Sequence, residues 1–165
     1  MEYGAHLPLI DFDGRGWSQR GLASYVDAAR QLGYSFISAN DHLVFQRLWL
    51  DCIVALASVI DRSCDMGLAT TVSLPVVRGP AVLAKATAAL DILSGGRLAL
   101  GVGPGSSVRD YEAAYLSFDE RWPCLDEAIR VLRRTAQARR AGLRGSFLFD
   151  PGGAGTASES GPSRM

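Results

Sequence analysis

The sequence predicts an α/β fold in which four parallel strands alternate with four main helices. Short apolar runs alternate with amphipathic segments along most of the 165 residues. The run over residues 66–72 lacks polar alternation, which is typical of a strand buried on both faces of a parallel sheet. The pattern over residues 68–107 predicts a strand, a helix and a second strand. Four such units form either an independent open sheet or half of a (β/α)₈ barrel, which takes about 250 residues.

Local signals predict each element in turn. A helix over residues 17–32 has Ser18 as a candidate N-cap and Gly33 as its stop. Pro80 suits the first turn of another helix. The predicted strands are residues 3–10, 35–39, 66–72 and 97–102. The other predicted helices are residues 50–62, 80–93 and 119–140, with a helical turn at 110–115.

The composition changes near residue 142. From there the chain is rich in Gly, Ser and Pro and has almost no hydrophobic periodicity. We therefore predict a folded domain over residues 1–141 and a disordered tail over residues 142–165.

Charge and cysteine usage narrow the functional classes. Lys plus Arg and Asp plus Glu each number 17, so the net charge is zero and no basic field favours nucleic acid or membrane. No apolar run approaches the roughly 20 residues of a membrane helix, and we expect no signal peptide. The three cysteines, Cys52, Cys64 and Cys124, form no CxxC pair, which favours reduced thiols in the cytoplasm. With two histidines, a three-histidine metal site is excluded, and we expect no metal.

Polar residues follow two of the predicted strands. Asn40-Asp41-His42 comes directly after the second strand, where a carboxylate and an imidazole can hold a polar ligand and move protons. The alternative is a turn or helix cap. Residues 70–75, TTVSLP, end the third strand, and their hydroxyls either bind a polar ring edge or merely favour strand formation. His6, in the first strand, is either a core histidine or a cleft residue.

A glycine-rich loop, GVGPGSS over residues 101–107, follows the fourth strand. Its backbone N–H groups and serines can approach a ligand closely, and a tight turn without a ligand is the alternative. The spacing is not GxGxxG, so a Rossmann-type nucleotide binder is a weaker hypothesis.

Several motifs in order resemble the luciferase-like monooxygenase superfamily. These are ANDHL at 39–43, LATTVSLPVVRGPAVLAKATAALDILSGGRLALGVGPGSS at 68–107 and FDERWPCLDEAIRVLRR at 118–134. The resemblance covers roughly residues 3–135. It implies the N-terminal half of a TIM (β/α)₈ barrel that binds coenzyme F420 (a deazaflavin) or FMN and acts on a small molecule.

The resemblance also implies roles for particular residues. His42 would be the catalytic residue beside the reactive ring, and Asp41 would help to bind the cofactor. A non-proline cis peptide would fall at Thr71–Val72, against which the ring would pack. In the loop after the fourth strand, Gly105 and Ser106 would line the site.

The sequence departs from the family pattern in two respects. Some deazaflavin-dependent members carry a tryptophan and a glutamate where Gln46 and Ser106 stand here, so their sugar-phosphate dehydrogenase chemistry is not carried over. The second barrel half is missing, so we expect a truncated oxidoreductase. The alternative is an inactive half-barrel that forms a homodimer or aggregates through open sheet edges.

Overall fold

The computed structural model describes residues 1–142, with only the helical backbone considered for residues 137–142. Four parallel strands form one sheet in the order β1-β2-β3-β4. The tail predicted for residues 142–165 lies outside the described residues, apart from Gly142. The strands are β1 (Gly4–His6), β2 (Phe36–Ala39), β3 (Gly67–Ser73) and β4 (Leu98–Val102).

Helices connect the strands and follow the last one. They are α1 (Gln19–Gln31), α2 (Cys52–Ser58), α3 (Ile60–Ser63), α4 (Pro75–Arg78), α5 (Pro80–Leu93), α6 (Val108–Ala113) and α7 (Arg121–Gly142). Each of the first three strands is thus followed by at least one helix before the next strand begins, which is the βα repeat expected of a parallel sheet. The predicted fold class is confirmed.

The local signals for two helices are confirmed in detail. The Ser18 hydroxyl accepts a hydrogen bond from the Gly21 amide at the start of α1. Gly33 follows the helix with φ of +80°, a conformation that glycine adopts without strain. Helix α5 begins at Pro80 and ends at Leu93, as predicted.

Two predictions of element bounds were wrong. The first strand spans Gly4–His6 rather than residues 3–10, because the chain beyond it turns and forms a bridge between Ile10 and Trp49. The helix predicted over residues 50–62 divides at Val59 into α2 and α3. The chain also forms the short helix α4 before α5, which was not predicted.

The main hydrophobic core lies on one face of the sheet. Ile37 of β2 and Leu68 of β3 are fully buried there, together with Val26 of α1 and Leu56 of α2. The alternate strand residues point to the opposite face, where His6 and Ala99 are exposed. This uncovered face is the one that faces the interior in a closed barrel. Within residues 1–142, no helix is both long and apolar enough to cross a membrane.

Candidate functional site

The carboxyl ends of β2, β3 and β4 meet at one edge of the sheet. The Leu74 amide, just beyond β3, donates to the Asp41 carboxylate, just beyond β2. The Gly103 amide, just beyond β4, donates to the Ser73 carbonyl at the end of β3, with N and O 3.0 Å apart. Parallel strands bring their ends to the same edge, which is where ligands bind in α/β proteins.

His42 forms a hydrogen-bonded pair with Asp110, a residue of α6. The His42 Nδ1 atom lies 2.8 Å from Asp110 Oδ2. The other carboxylate oxygen, Oδ1, accepts hydrogen bonds from the Leu43 and Val44 amides at 3.1 and 2.8 Å. A carboxylate only accepts, so Nδ1–H is the donor, and Nε2 of the neutral ring carries the free lone pair. Asp110 therefore fixes both the tautomer and the orientation of His42.

Two aromatic rings pack beside the imidazole. The centroid of the Trp49 ring lies 4.6 Å from that of His42, and the centroid of Phe45 lies 5.4 Å away. Phe45 and Trp49 also meet edge to face at 4.7 Å. The place expected for a family tryptophan holds Gln46, yet Trp49 supplies an indole next to the histidine.

Asp41 lies below the surface and is paired with Arg78 of α4. Its side chain is 1% exposed, and both of its oxygens accept hydrogen bonds from the Arg78 guanidinium. Arg78 also binds Asp51, the N-cap of α2. In this arrangement Asp41 presents almost no surface to a ligand, so its predicted role in cofactor binding stays a prediction. Its visible role is to join the ends of β2 and β3.

Three groups around this ion pair have shifted pKa values: Asp51, Arg78 and Cys52. Burial acts to raise the pKa of Asp51, but hydrogen bonds from the Val54 amide and Arg78 and the Arg78 charge leave it below its usual value. The two carboxylates raise the pKa of Arg78 despite its burial. Burial, with the nearby Asp41 charge, raises the pKa of the Cys52 thiol to about 12. Cys52 is therefore an uncharged packing residue at neutral pH.

A bulge with a cis peptide bond between Thr71 and Val72 ends β3, as the resemblance implies. Thr70 pairs with Leu100 and Ser73 with Val102, so two residues of β3 oppose one of β4. Thr71 and Val72 are both exposed, and the apolar side chain of Val72 is 38% exposed.

Glycines allow β4 to approach this bulge. A Cβ atom on Gly101 would lie 2.4 Å from the carbonyl oxygen of Thr70, and one on Gly103 would lie 2.9 Å from Val72 Cγ2. Any larger residue at these positions would displace the bulge.

The loop after β4 is held by α6. The Tyr111 hydroxyl donates to the Pro104 carbonyl at 2.5 Å, and burial raises the pKa of this tyrosine. Gly105 has φ of +81°, and Ser106 is exposed. Ser107 caps α6 by accepting from the Asp110 amide. The loop thus presents Gly105 and Ser106 at the same edge as His42.

Sequence reasoning missed Asp110 and Arg78. Arg78 follows β3 and Asp110 follows β4, so both come after strands that end at the same sheet edge as His42. This placement could have identified them as candidate site residues. His6 ends β1 beside Ser38 of β2: its Nδ1–H donates to the Leu7 carbonyl at 2.8 Å, and its side chain is exposed on the uncovered face. It is not a core histidine.

The chain belongs to the luciferase-like monooxygenase family, whose model matches residues 13–162. It is 31% identical over 137 residues to the F420-dependent hydroxymycolic acid dehydrogenase of Mycobacterium tuberculosis, covering 77% of this chain and 37% of that protein. It is 28% identical over 138 residues to the F420-dependent glucose-6-phosphate dehydrogenase of Amycolatopsis mediterranei, covering 78% and 41%. The chain therefore spans about two fifths of the length of these relatives.

Solved structures share the fold. A monooxygenase from Streptomyces bottropensis superposes with a TM-score of 0.69 at 26% identity, covering 81% of this chain and 42% of that one. The FMN-bound oxygenating constituent of 3,6-diketocamphane monooxygenase from Pseudomonas putida gives 0.68 at 18% identity, covering 80% and 38%. An F420-dependent secondary alcohol dehydrogenase gives 0.65 at 18%, covering 80% and 41%.

The residues present fit the ring of a flavin or deazaflavin. Such a ring needs a flat apolar support and polar atoms near its edge. The exposed side chain of Val72 would offer such a support. His42 and Ser106 would offer polar atoms at the same sheet edge.

Proposed function

We propose that this chain is the cofactor-facing half of a luciferase-like oxidoreductase that uses coenzyme F420 or FMN on a small-molecule substrate. The observation that carries the proposal is the His42–Asp110 pair at the same sheet edge as the bulge at Thr71–Val72. Membership of the family and the named cofactors of its relatives support the same assignment. When bound, the cofactor supplies hydride transfer or reaction with oxygen, and the protein supplies position and electrostatics.

In this proposal His42 is the catalytic residue. Because Nδ1–H donates to Asp110, the Nε2 atom is free to accept a proton from a substrate hydroxyl. The Asp110 carboxylate stabilises the positive charge that the ring then acquires, and two backbone amides hold that carboxylate in place. The rings of Phe45 and Trp49 pack against the His42 ring, whose side chain is 21% exposed.

We assign Thr71, Val72, Gly105 and Ser106 to cofactor binding. Val72 would contact the ring face, and Thr71 and Ser106 would offer hydroxyls to polar atoms. Asp41 would contribute from beneath, by holding the Leu74 amide and Arg78 next to the bulge. We place the half-barrel at residues 1–141 and the protein in the cytoplasm, with no nucleic-acid or membrane partner.

A second candidate is an inactive half-barrel that associates with itself. Strands β1 and β4 are the two edges of the described sheet, and one sheet face is uncovered. Edges and faces of this kind pair with other chains. Two copies related by a twofold axis would bring β4 of each beside β1 of the other and complete eight strands.

Titration with FMN and with reduced and oxidised F420, followed by absorbance and fluorescence, tests the first candidate. We expect saturable binding that Val72→Glu weakens about tenfold or more, equivalent to about 1.4 kcal/mol. Val82→Glu is the matched control, because Val82 is 69% exposed on α5. His42→Ala should preserve binding and lower turnover.

Absence of binding by the wild-type chain would contradict the cofactor assignment. Sedimentation equilibrium then decides the second candidate. A concentration-dependent dimer is its expected result, and a monomer that binds no apolar dye would contradict it.

A further inference from the structure

We propose that Arg78 is a positioning residue that fixes both ends of the loop carrying His42. This loop, residues 42–50, connects β2 to α2. Asp41 precedes it and Asp51 follows it, and both carboxylates bind the same guanidinium. The inference rests on the proposed function only in that His42 is the group to be positioned.

The guanidinium bridges the two carboxylates directly. Arg78 Nη2 lies 2.6 Å from Asp41 Oδ1 and 2.5 Å from Asp51 Oδ2, and Nε donates to the second oxygen of Asp41. The Arg78 and Asp41 side chains are 16% and 1% exposed, so solvent screens this pair weakly, whereas Asp51 is 38% exposed and its contact with Arg78 is more strongly screened. A planar guanidinium can serve several carboxylate oxygens at once, which a lysine ammonium does less well.

The bridge formed by Arg78 holds together the two loop ends on which His42 and Trp49 lie. His42 stands at one end, next to Asp41, and Trp49 stands near the other, two residues before Asp51. The two rings are in contact, with centroids 4.6 Å apart. Without Arg78, the carboxylates would lose their common counter-charge, and a buried Asp41 would be left unpaired. The ends of the loop would then separate, and the rings would lose contact.

Other contacts hold different parts of the loop. The Leu43 and Val44 amides bind Asp110, and Trp49 forms a bridge with Ile10. None of these joins the two ends to each other. Arg78 lies on α4, four residues after Leu74, whose amide binds Asp41. The same side chain therefore also ties the loop to the end of β3 that carries the bulge.

Nuclear magnetic resonance of the histidine rings tests this proposal on the full chain. The chain has two histidines, so His42→Gln and His6→Gln assign both ring signals. In Arg78→Met we expect the cross-relaxation between the His42 and Trp49 rings to be lost and the His42 signal to shift. The His6 signal should stay in place, because His6 does not touch the loop.

Arg97→Met is the matched control for loss of a half-buried arginine. Arg97 donates to the carbonyls of Ile60, Met66 and Ser94 near the amino-terminal ends of β3 and β4, and it contacts no residue of the loop. We expect it to lower stability while leaving the His42 signal unchanged. Asp41→Asn and the double variant Asp41→Asn/Arg78→Met should give the same His42 spectrum as Arg78→Met.

Three results would overturn the proposal. The first is a folded Arg78→Met chain that keeps the cross-relaxation between His42 and Trp49. The second is an equal shift of His42 in Arg97→Met. If Arg78→Met does not fold, Arg78→Lys is measured in its place against the same two outcomes. The third result that would overturn the proposal is that neither variant folds. No cofactor enters the experiment, so its result is independent of whether the chain binds FMN or F420.

Discussion

Removing the Asp110 carboxylate should destabilise the chain far more than its place on a short helix suggests. The carboxylate is buried and accepts from three donors: His42 Nδ1–H and the amides of Leu43 and Val44. A buried donor without a partner costs about 1–3 kcal/mol. Asp110→Ala leaves three part-buried donors without this partner, and water can replace some of these bonds, so we expect a loss of about 2–3 kcal/mol in the free energy of unfolding. That is a large share of the ~5–15 kcal/mol of a typical domain.

Asp110→Asn removes the negative charge of the side chain but keeps its size and shape. Its amide oxygen can still accept from the Leu43 and Val44 amides, but its NH₂ group meets His42 Nδ1. We expect a smaller loss, about 1–2 kcal/mol, since only a charge-assisted hydrogen bond is weakened. The ring must then place its proton on Nε2, which removes the free lone pair on which the proposed proton transfer depends.

Urea unfolding followed by circular dichroism measures these losses, and ¹⁵N shifts of the imidazole report the tautomer. Glu112→Ala is the control, because Glu112 is exposed on the same helix and should change stability by less than about 0.5 kcal/mol. If Asp110→Ala cost no more than the control, the described hydrogen bonds would not be holding the loop. An unchanged tautomer in Asp110→Asn would refute the assignment of Nδ1–H as the donor.

Three further predictions concern other parts of the site. Gly101→Ala should cost several kcal/mol, or prevent folding, because its Cβ would lie 2.4 Å from the Thr70 carbonyl oxygen; thermal unfolding measures this, and a change in melting temperature of only a degree or two would contradict it. At pH 8, iodoacetamide should alkylate the exposed Cys64 and spare the buried Cys52, whose pKa is raised to about 12; mass spectrometry of the native chain distinguishes this from equal labelling. The pKa of Asp51 is lower in the folded chain than in the unfolded chain, so the folded state binds fewer protons and stability falls as pH drops below about 4. Asp51→Asn should flatten that acid limb of a pH–stability curve, and an unchanged slope would count against the Arg78–Asp51 contact.

The repeat of strands and helices was predictable because each element carries its own local signal. Pro80 and the double glycine after Leu93 bound α5 on both sides, and the Ser18 hydroxyl caps α1. The division of the second helix at Val59 was not predictable from apolar spacing alone. The apolar stripe continues across Val59, whereas the backbone there leaves helical geometry.

The site was predictable only in part, because its partners are distant in sequence. His42 follows a strand directly and could be named, but its partner Asp110 stands 68 residues later. Arg78 and Asp41 are 37 residues apart. Asp41 was expected to bind the cofactor, which stays a prediction, whereas its ion pair with Arg78 was not predicted. A sequence pattern predicts where a side chain lies along its own strand. The pairing of His42 with Asp110, or of Asp41 with Arg78, depends on how the ends of several strands converge.

The one-sided core gives the strands an uneven tolerance to substitution. Ile37 and Leu68 have no exposed surface, while Ser38 and Ala69 beside them along the chain are only partly buried. Charged residues should therefore be accepted at partly buried positions such as Ser38 and Ala69 and rejected at Ile37 and Leu68. A scan of lysine substitutions along β2 and β3 would show this contrast, and the accepted positions are those through which solubility of the isolated chain can be adjusted without disturbing its helices.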